Sequence, residues 1–457
     1  MTTARPAPDA VDPEAVESEL QRVGRELAAA FPSSSRQPLR AFDARAMELA
    51  TGDQELRAAL FRFVDVVPAC RSLDDLAHHL TGFLGEVGET PPPLAAAMRI
   101  SHTRAGRAAL GAAAAGGVRH LAHRFIVGES PQSALPTFRR LWNGGVASSV
   151  DLLGEATVTQ SEADRYAARC NDAIAVLSRA TAGWPTRPRL EADGSGPVPR
   201  ANVCAKVSAL TPLLAPEAPR RGQDDAARRM RPLLRAAHEA GAHLHIDMES
   251  LDSREAVLDL VLELLSEDEF AAGPSSGLVL QAYLRDSPDQ TERIVAWARQ
   301  RSAAAPPLTV RLVKGAYWDH ELVQARQHGW EVPVFEDKAD CDRNFEALSR
   351  RLLDAGSSLR VAIGSHNLRS VAHAIAYNRV SGGEDVDLEL QVLRGLGDDL
   401  AHALAARGFR VRAYCPVGDL VAGMAYLVRR LLENTSNESF LSAQAQGASV
   451  QELLAAP

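Results

Sequence analysis

Apolar and polar positions alternate in two different ways along this chain. Up to about residue 141 the apolar residues recur at helical spacing, as in LRAALFRFVDVV (56–67). This pattern predicts a helix over 14–30, two or three helices within 42–87, and Ala-rich helix over 95–141. FPSSSRQPLRA (31–41) reads as a loop, and the three prolines of GETPPPL (88–94) are expected to stop any helix. Beyond residue 145 the rhythm changes, and short apolar runs of strand length alternate with helical stretches. Strands are expected over 146–156, 202–210, 243–250, 277–284, 308–316, 359–367, 386–393 and 409–417. Helix starts stand between them: Thr159 with Glu162 as a capping box, Asp252 with Glu255, and Ser287 capping a helix with Pro288 at its first position. GWPTRPRLEADGSGPVPR (183–200) reads as an irregular connection, and a last helix is expected over 419–433.

Eight strands alternating with helices predict an α/β fold, a (β/α)8 TIM-like barrel, because an open dinucleotide-binding half-sheet would use fewer. The division expected is a flexible N-terminal arm (1–41), a helical domain (42–141), the barrel (142–447) and a C-terminal tail (448–457).

Composition narrows the function classes. The 457 residues carry a net charge of −8, which argues against a nucleic-acid partner. Cys70, Cys170, Cys204, Cys341 and Cys415 show no CxxC spacing, so neither zinc nor a disulfide framework is expected. The first residues lack a basic stretch followed by an apolar one, and no run approaches the roughly 20 apolar residues a membrane span needs. A cytoplasmic protein is expected. Phosphate loops, GxGxxG and HExxH are all absent.

What remains is a set of polar side chains at strand ends: Glu155, Lys206, Asp247 with Glu249, Gln281, Arg311 with Lys314, His366 with Asn367, Gln391 and Tyr414. A polar group inside a buried strand is costly unless partnered. Many of them at one end of one barrel describe a shared site, where barrel enzymes place their chemistry. In the last helix Tyr426, Arg429, Arg430 and Glu433 share one face, while Met424, Leu427, Val428, Leu431 and Leu432 cover most of the rest. Such a helix is buried, so its polar stripe should face a pocket, and adjacent arginines suit a carboxylate or phosphate.

These residues carry a resemblance. VDLLGEA (150–156), AKVSALTPL (205–213), HIDMES (245–250), LQAYLRD (280–286), VRLVKGAYWDHE (310–321), GSHNLRS (364–370), LELQVLRGLG (388–397), YCPVGDL (414–420) and AYLVRRLLENTSNESF (425–440) resemble the proline dehydrogenases. The likeness is greatest to the dehydrogenase half of the bifunctional bacterial proline-utilisation flavoenzymes. It implies FAD-dependent oxidation of L-proline to Δ1-pyrroline-5-carboxylate, with electrons passed to a membrane quinone and peripheral contact at the inner face of the membrane. It also implies residue roles. Lys206, Arg429 and Arg430 would bind the substrate carboxylate. Tyr414, Tyr426 and Leu393 would line the ring pocket, and Asp247 would order Lys206 and the tyrosines. Glu155 and Glu433 would be gating or counter-charges. Arg311 would sit beside the flavin, raising its potential. Met248, Gln281, Lys314, Gly315, Ala316, Trp318, Ser365 and His366 would join it in holding FAD.

Departures from the family pattern, such as KVSAL for KLSAL and the LELQVLRGLG stretch, leave a proline analogue such as 4-hydroxyproline as an alternative substrate. A flavin-free barrel that senses a ligand or docks a partner is the alternative of another class. With an aldehyde dehydrogenase half not in evidence, a separate pyrroline-5-carboxylate dehydrogenase is an expected partner.

Overall fold

The computed structural model describes residues 11–31, 54–88, 91–154, 156–419, 423 and 448–457. Its centre is a closed barrel of eight parallel strands. They are β1 (Val146–Leu152), β2 (Asn202–Lys206), β3 (His243–Asp247), β4 (Ser275–Gln281), β5 (Leu308–Val313), β6 (Leu359–Gly364), β7 (Leu388–Leu393) and β8 (Arg410–Val417). Each strand pairs with the next, and β8 closes on β1 with Tyr414 opposite Ser149.

Helices precede and surround the barrel: α1 (Pro13–Ala29), α2 (Gln54–Val66), α3 (Leu73–Leu84), α4 (Pro92–Ile100), α5 (Arg104–Phe125), α6 (Pro131–Asn143), α7 (Gln160–Ala182), α8 (Pro219–Glu239), α9 (Leu251–Leu264), α10 (Ser287–Gln300), α11 (Trp318–His328), α12 (Lys338–Leu353), α13 (Leu368–Val380) and α14 (Asp398–Ala406). The largest apolar core lies between strands and helices, where Val203, Leu244, Leu280, Leu312, Ile363 and Leu390 meet the helix ring.

The barrel interior is different. Strand side chains alternate in direction with a period of two, and the inward set is largely polar. Ser149, His243, His245, Arg311, Arg360, Glu389, Gln391, Arg410 and Arg412 are all buried. Branched apolar layers usually fill such barrels; here paired charges do. A two-residue-strand hairpin (Ala192–Asp193 with Gly196–Pro197) closes the N-terminal end. Its Asp193 accepts from Arg360 Nε at 2.8 Å and Arg410 Nη1 at 2.7 Å. Above it a cavity of about 20 Å³ is lined by His243, His245, Glu389 and Arg412 among others.

The helices α2 to α5 form a second apolar cluster that meets the opposite, C-terminal mouth. Phe125 and Ile126 pack with Leu153, Leu396 and Leu393. Val127 N donates to Pro416 O at 2.9 Å, and Arg124 Nε to Gly395 O at 3.0 Å.

Several expectations are corrected. The prolines of 91–93 do not merely stop a helix: α4 begins at Pro92, where a first-turn proline loses no intrahelical bond. The 183–200 connection contains a helical turn and the plug hairpin. The 202–210 run leaves the sheet at Lys206 and finishes as a helical turn. Thr159 and Glu162 do form a capping box, but Ser287 lies inside α10, where its Oγ donates to Leu284 O at 2.7 Å. Asp252 likewise falls inside α9, which follows Ser250.

Nor are the described parts of the arm and tail free. The apolar face of α1 buries Val16, Leu20, Val23 and Leu27 against the barrel's core. At about 1.5–3 kcal/mol per fully buried aliphatic side chain, that face outweighs one surface ion pair several-fold. Glu17 also accepts from Arg369 Nη2 of α13 at 3.0 Å. Arg369 Nη1 reaches Leu454 O at 2.8 Å, tying both chain ends to one barrel helix. The helix expected over 419–433 lies outside the described residues, Asp419 and Gly423 excepted.

Candidate active site

The C-terminal ends of the strands deliver a connected cluster. β3 ends in Asp247, whose carboxylate is shared by three neighbours. Its Oδ1 accepts from Arg311 Nη1 of β5 at 2.9 Å, and its Oδ2 from the Tyr414 hydroxyl of β8 at 2.7 Å. Lys206 Nζ, ending β2, stands 3.7 Å away. The closer partner of Lys206 is Asp151 of β1, in direct hydrogen-bond contact. The Arg311 guanidinium lies 5.1 Å from the centre of the Tyr414 ring, and its Nε donates to Gln391 Oε1 at 2.6 Å.

Burial and neighbouring charge together set the protonation states. Burial opposes the charged form of Lys206, but Asp151, Tyr166 and Asp247 outweigh it and raise the pKa well above the ordinary lysine value. Burial opposes charge on Arg311 too, and Cys204, Asp247 and Tyr414 overcome it. Tyr414 is held neutral by burial and by the carboxylates of Asp151 and Asp247. Glu249 is pushed upward by burial, against the pull of Lys206 and of the Ser208 hydroxyl that donates to it. The result is two fixed cations, Lys206 and Arg311, set beside two carboxylates, Asp151 and Asp247. The phenol of Tyr414 donates toward that cluster.

The residues expected to hold a flavin follow β3, β4, β5 and β6. Met248 comes directly after Asp247, and Gln281 ends β4. Lys314, Gly315, Ala316 and Trp318 follow β5, and Ser365 and His366 follow β6. They therefore share one side of the mouth. Gln281 Nε2 donates to Glu249 O at 3.1 Å, while its Oε1 is buried with no partner among the described residues. Such an acceptor is costly unless something donates to it, and a flavin ring N–H is a donor of that kind. Gly315 has φ +133, and a Cβ there would overlap the Tyr283 ring, so this close approach needs glycine. His366 Nε2 accepts from Leu393 N at 2.8 Å, which leaves Nδ1 to carry the proton of a neutral ring. Lys314 is ion-paired with Asp342 of α12. Trp318 Nε1 donates to Phe335 O at 2.8 Å. Ser365 Oγ accepts from Asn367 N at 3.1 Å, and Asn367 itself caps α13.

The cluster thus unites Lys206, Asp247, Arg311, Gln391 and Tyr414, with Leu393 at the rim. Glu155, Tyr426, Arg429, Arg430 and Glu433 lie outside the described residues. Sequence reasoning missed Asp151, the nearest counter-charge of Lys206. Its signal was present: a lone acid inside VASSVDLL, a run otherwise too apolar for it. Among the described residues no cluster of side chains is suited to a metal ion, and no helix is long and apolar enough to cross a membrane.

Known proteins share this chain's sequence pattern and fold. The proline dehydrogenase family model matches residues 134–443, and the model of the proline utilization A N-terminal domain matches residues 17–125. The bifunctional protein PutA of Salmonella typhimurium is 31% identical over 351 residues, 74% of this chain and 25% of that protein. The proline dehydrogenase of Deinococcus radiodurans is 29% identical over 323 residues, 70% of this chain and 89% of that protein. The crystal structure of proline utilization A from Bdellovibrio bacteriovorus inactivated by N-propargylglycine superposes with a TM-score of 0.87 and 34% identity. It covers 96% of this chain and 44% of that one. The chain spans about a quarter of the length of the PutA relative.

Proposed function

The chain belongs to the proline dehydrogenase family, and from that premise we propose that it oxidises L-proline to Δ1-pyrroline-5-carboxylate. In this reading it uses bound FAD, with a quinone as the final electron acceptor. The observation that carries the reading is the Lys206–Asp247–Arg311–Tyr414 cluster at the barrel mouth, beside the unpartnered acceptor of Gln281. Gln281, Met248, Arg311, Lys314, Gly315, Ala316, Trp318, Ser365 and His366 would hold the cofactor, and when bound it supplies the acceptor for the hydride.

Lys206 and Arg311 are each already matched by a carboxylate. A substrate carboxylate therefore calls for further positive charge, the role we assign to Arg429 and Arg430, with Glu155 and Glu433 tempering it. Lys206 would complete the grip, held protonated by Asp151. Fixing the one strong handle of proline fixes which ring carbon faces the acceptor, and such positioning supplies much of a rate enhancement. Tyr414, Tyr426 and Leu393 would cover the apolar ring and exclude water. Tyr414 keeps its proton and gives its hydrogen bond to Asp247, so the phenol is not the base. The substrate nitrogen must lose its extra proton to solvent first. The hydride then leaves the ring carbon beside nitrogen, the C=N bond forms, and the imine proton equilibrates with water.

Peripheral contact with the inner face of the membrane would bring the quinone within reach. A pyrroline-5-carboxylate dehydrogenase activity would consume the product. The test is the visible spectrum of the purified protein, recorded without oxygen before and after L-proline. A flavin spectrum that bleaches supports the reading. A flavin spectrum indifferent to L-proline but bleached by 4-hydroxyproline would replace the substrate. No flavin, even after FAD is added, would overturn the reading.

A further inference from the structure

Arg311 takes its aim from Gln391 and, through it, from side chains deeper in the barrel. Its Nε donates to Gln391 Oε1 at 2.6 Å, and Gln391 Nε2 donates in turn to Glu389 Oε1 at 2.6 Å. An amide has one accepting end and one donating end. If Gln391 were turned over, its NH₂ would meet the N–H of Arg311, donor against donor. Glu389, an acceptor only, draws the NH₂ end toward itself and so presents the oxygen to Arg311.

Glu389 cannot drift. Arg412 grips it with two bonds, Nε to Oε1 at 2.8 Å and Nη2 to Oε2 at 3.1 Å, and Arg412 Nη1 is itself held by Ser148 O at 3.0 Å. Glu389, Gln391 and Arg412 are all buried, with relative exposures of 6%, 4% and 2%, so bulk water does not compete for their hydrogen bonds. Burial alone would neutralise Glu389, but Arg412 and Arg410 hold its pKa down at about 2, which keeps it an acceptor at every working pH. The donors therefore run in a fixed sense. Arg412 and Gln391 give to Glu389, Arg311 gives to Gln391 and Asp247, and Tyr414 gives to Asp247.

We propose that Glu389 is a positioning residue for the reaction at the barrel mouth: by fixing the amide of Gln391 it sets the rotamer of Arg311, and through it the placement of Asp247 and Tyr414. This rests on the proposed proline-oxidising function.

The test compares the full-length wild type, Glu389→Gln, Gln391→Met and the double variant, all loaded with FAD. The readouts are the flavin spectrum and reduction potential, kcat and KM for L-proline, and Tm. Misaiming a reacting-site group by an ångström or so costs about 10- to 100-fold in rate. Each single variant should lose kcat on that scale and shift the flavin spectrum or potential. KM should change by less than about threefold, because Lys206 keeps Asp151. The double variant should be no slower than the slower single variant, because Glu389 acts only through Gln391.

Multiplying losses would overturn the proposal. So would a fallen Tm with unchanged kcat, spectrum and potential, which marks Glu389 as structural only. Should Glu389→Gln fail to fold, Gln391→Met decides alone, since it leaves the Glu389–Arg412 pair intact. A normal rate and flavin in that variant would sink the proposal. A wild type that holds FAD but is not reduced by L-proline refutes the functional reading instead. The flavin spectra and potentials of the variants then decide the positioning role.

Discussion

Replacing Asp151 by Asn removes one charge and almost no volume, so it isolates the electrostatic support of Lys206. That support is measurable because Asp151 is buried and Lys206 largely so: the side chains of Lys206 and Asp151 keep 15% and 2% of their exposure. Removing one member of a buried pair costs about 3–5 kcal/mol, chiefly by stranding the other. Asn keeps an oxygen for the ammonium, and Asp247 remains 3.7 Å away, so the low end applies, about 3 kcal/mol. At an unfolding entropy of about 2.1 cal/mol/K per residue, 457 residues give roughly 1 kcal/mol/K. Tm should therefore fall by about 3 °C.

The second readout is pH. The pKa of Lys206 is raised in the folded protein, so its pairing contributes fully below the ordinary lysine value of about 10.4 and is lost as pH rises through the folded value. Without Asp151 burial is less opposed, and the lysine should deprotonate earlier. The ratio of variant to wild-type KM for L-proline, which cancels ionisation of the substrate, should be near constant at neutral pH and climb on the alkaline side. Calorimetry and steady-state assays from pH 7 to pH 10 check both. A Tm unchanged within 1 °C together with a pH-flat KM ratio would show that Asp151 is not the counter-charge of Lys206.

Three other outcomes are expected. Arg430→Met should raise the KM for L-proline on the order of 10- to 100-fold, the loss of one charge-assisted contact, and keep bound flavin; flavin loss with unchanged KM would reassign the arginine. Gly315→Ala must push against the Tyr283 ring from a positive φ, so it should weaken FAD retention and lower Tm by a few degrees. Wild-type flavin content and Tm would count against the close approach. Acid should destabilise the barrel in two stages. Burial chiefly, with the charge on Arg412, lowers the pKa of His243 to about 3, so an unfolded chain takes up a proton that the native one refuses. Stability is thus complete above about pH 6.5 and falls below it. Glu389, held at about 2 by its arginines against burial, adds a second loss below about pH 4.5. A Tm–pH curve that His243→Asn does not flatten between pH 6.5 and 4.5 would refute the first stage.

The barrel was legible because its two periodicities are strong, and Lys206, Asp247, Arg311 and Tyr414 stood out as charges or phenol in apolar runs. Strand ends were overextended, as at 202–210, because the polar residues that follow a strand here belong to the site and not to a turn signal. The ionic interior was harder to see. In a parallel barrel both faces of a strand are buried, so no polar face marks the outside. The clue lay in the alternation of HLHID, LELQ and RVRAY, which puts His243, His245 and Asp247, then Glu389 and Gln391, then Arg410, Arg412 and Tyr414 on one inward line. Asp286 and Ser287 are both good caps by type, so the start of α10 was one residue off.

The paired charges inside the barrel have a consequence for how this protein can diverge. An apolar core tolerates one-at-a-time exchanges of similar volume. The interior here does not, because changing Glu389 alone strands Arg412, and changing Asp193 alone strands Arg360 and Arg410. Accepted changes should therefore come as compensated sets. In a deep alignment, positions 193, 360 and 410, and positions 389, 391 and 412, should covary as two linked blocks. The outward-facing positions of the same strands should drift independently of them.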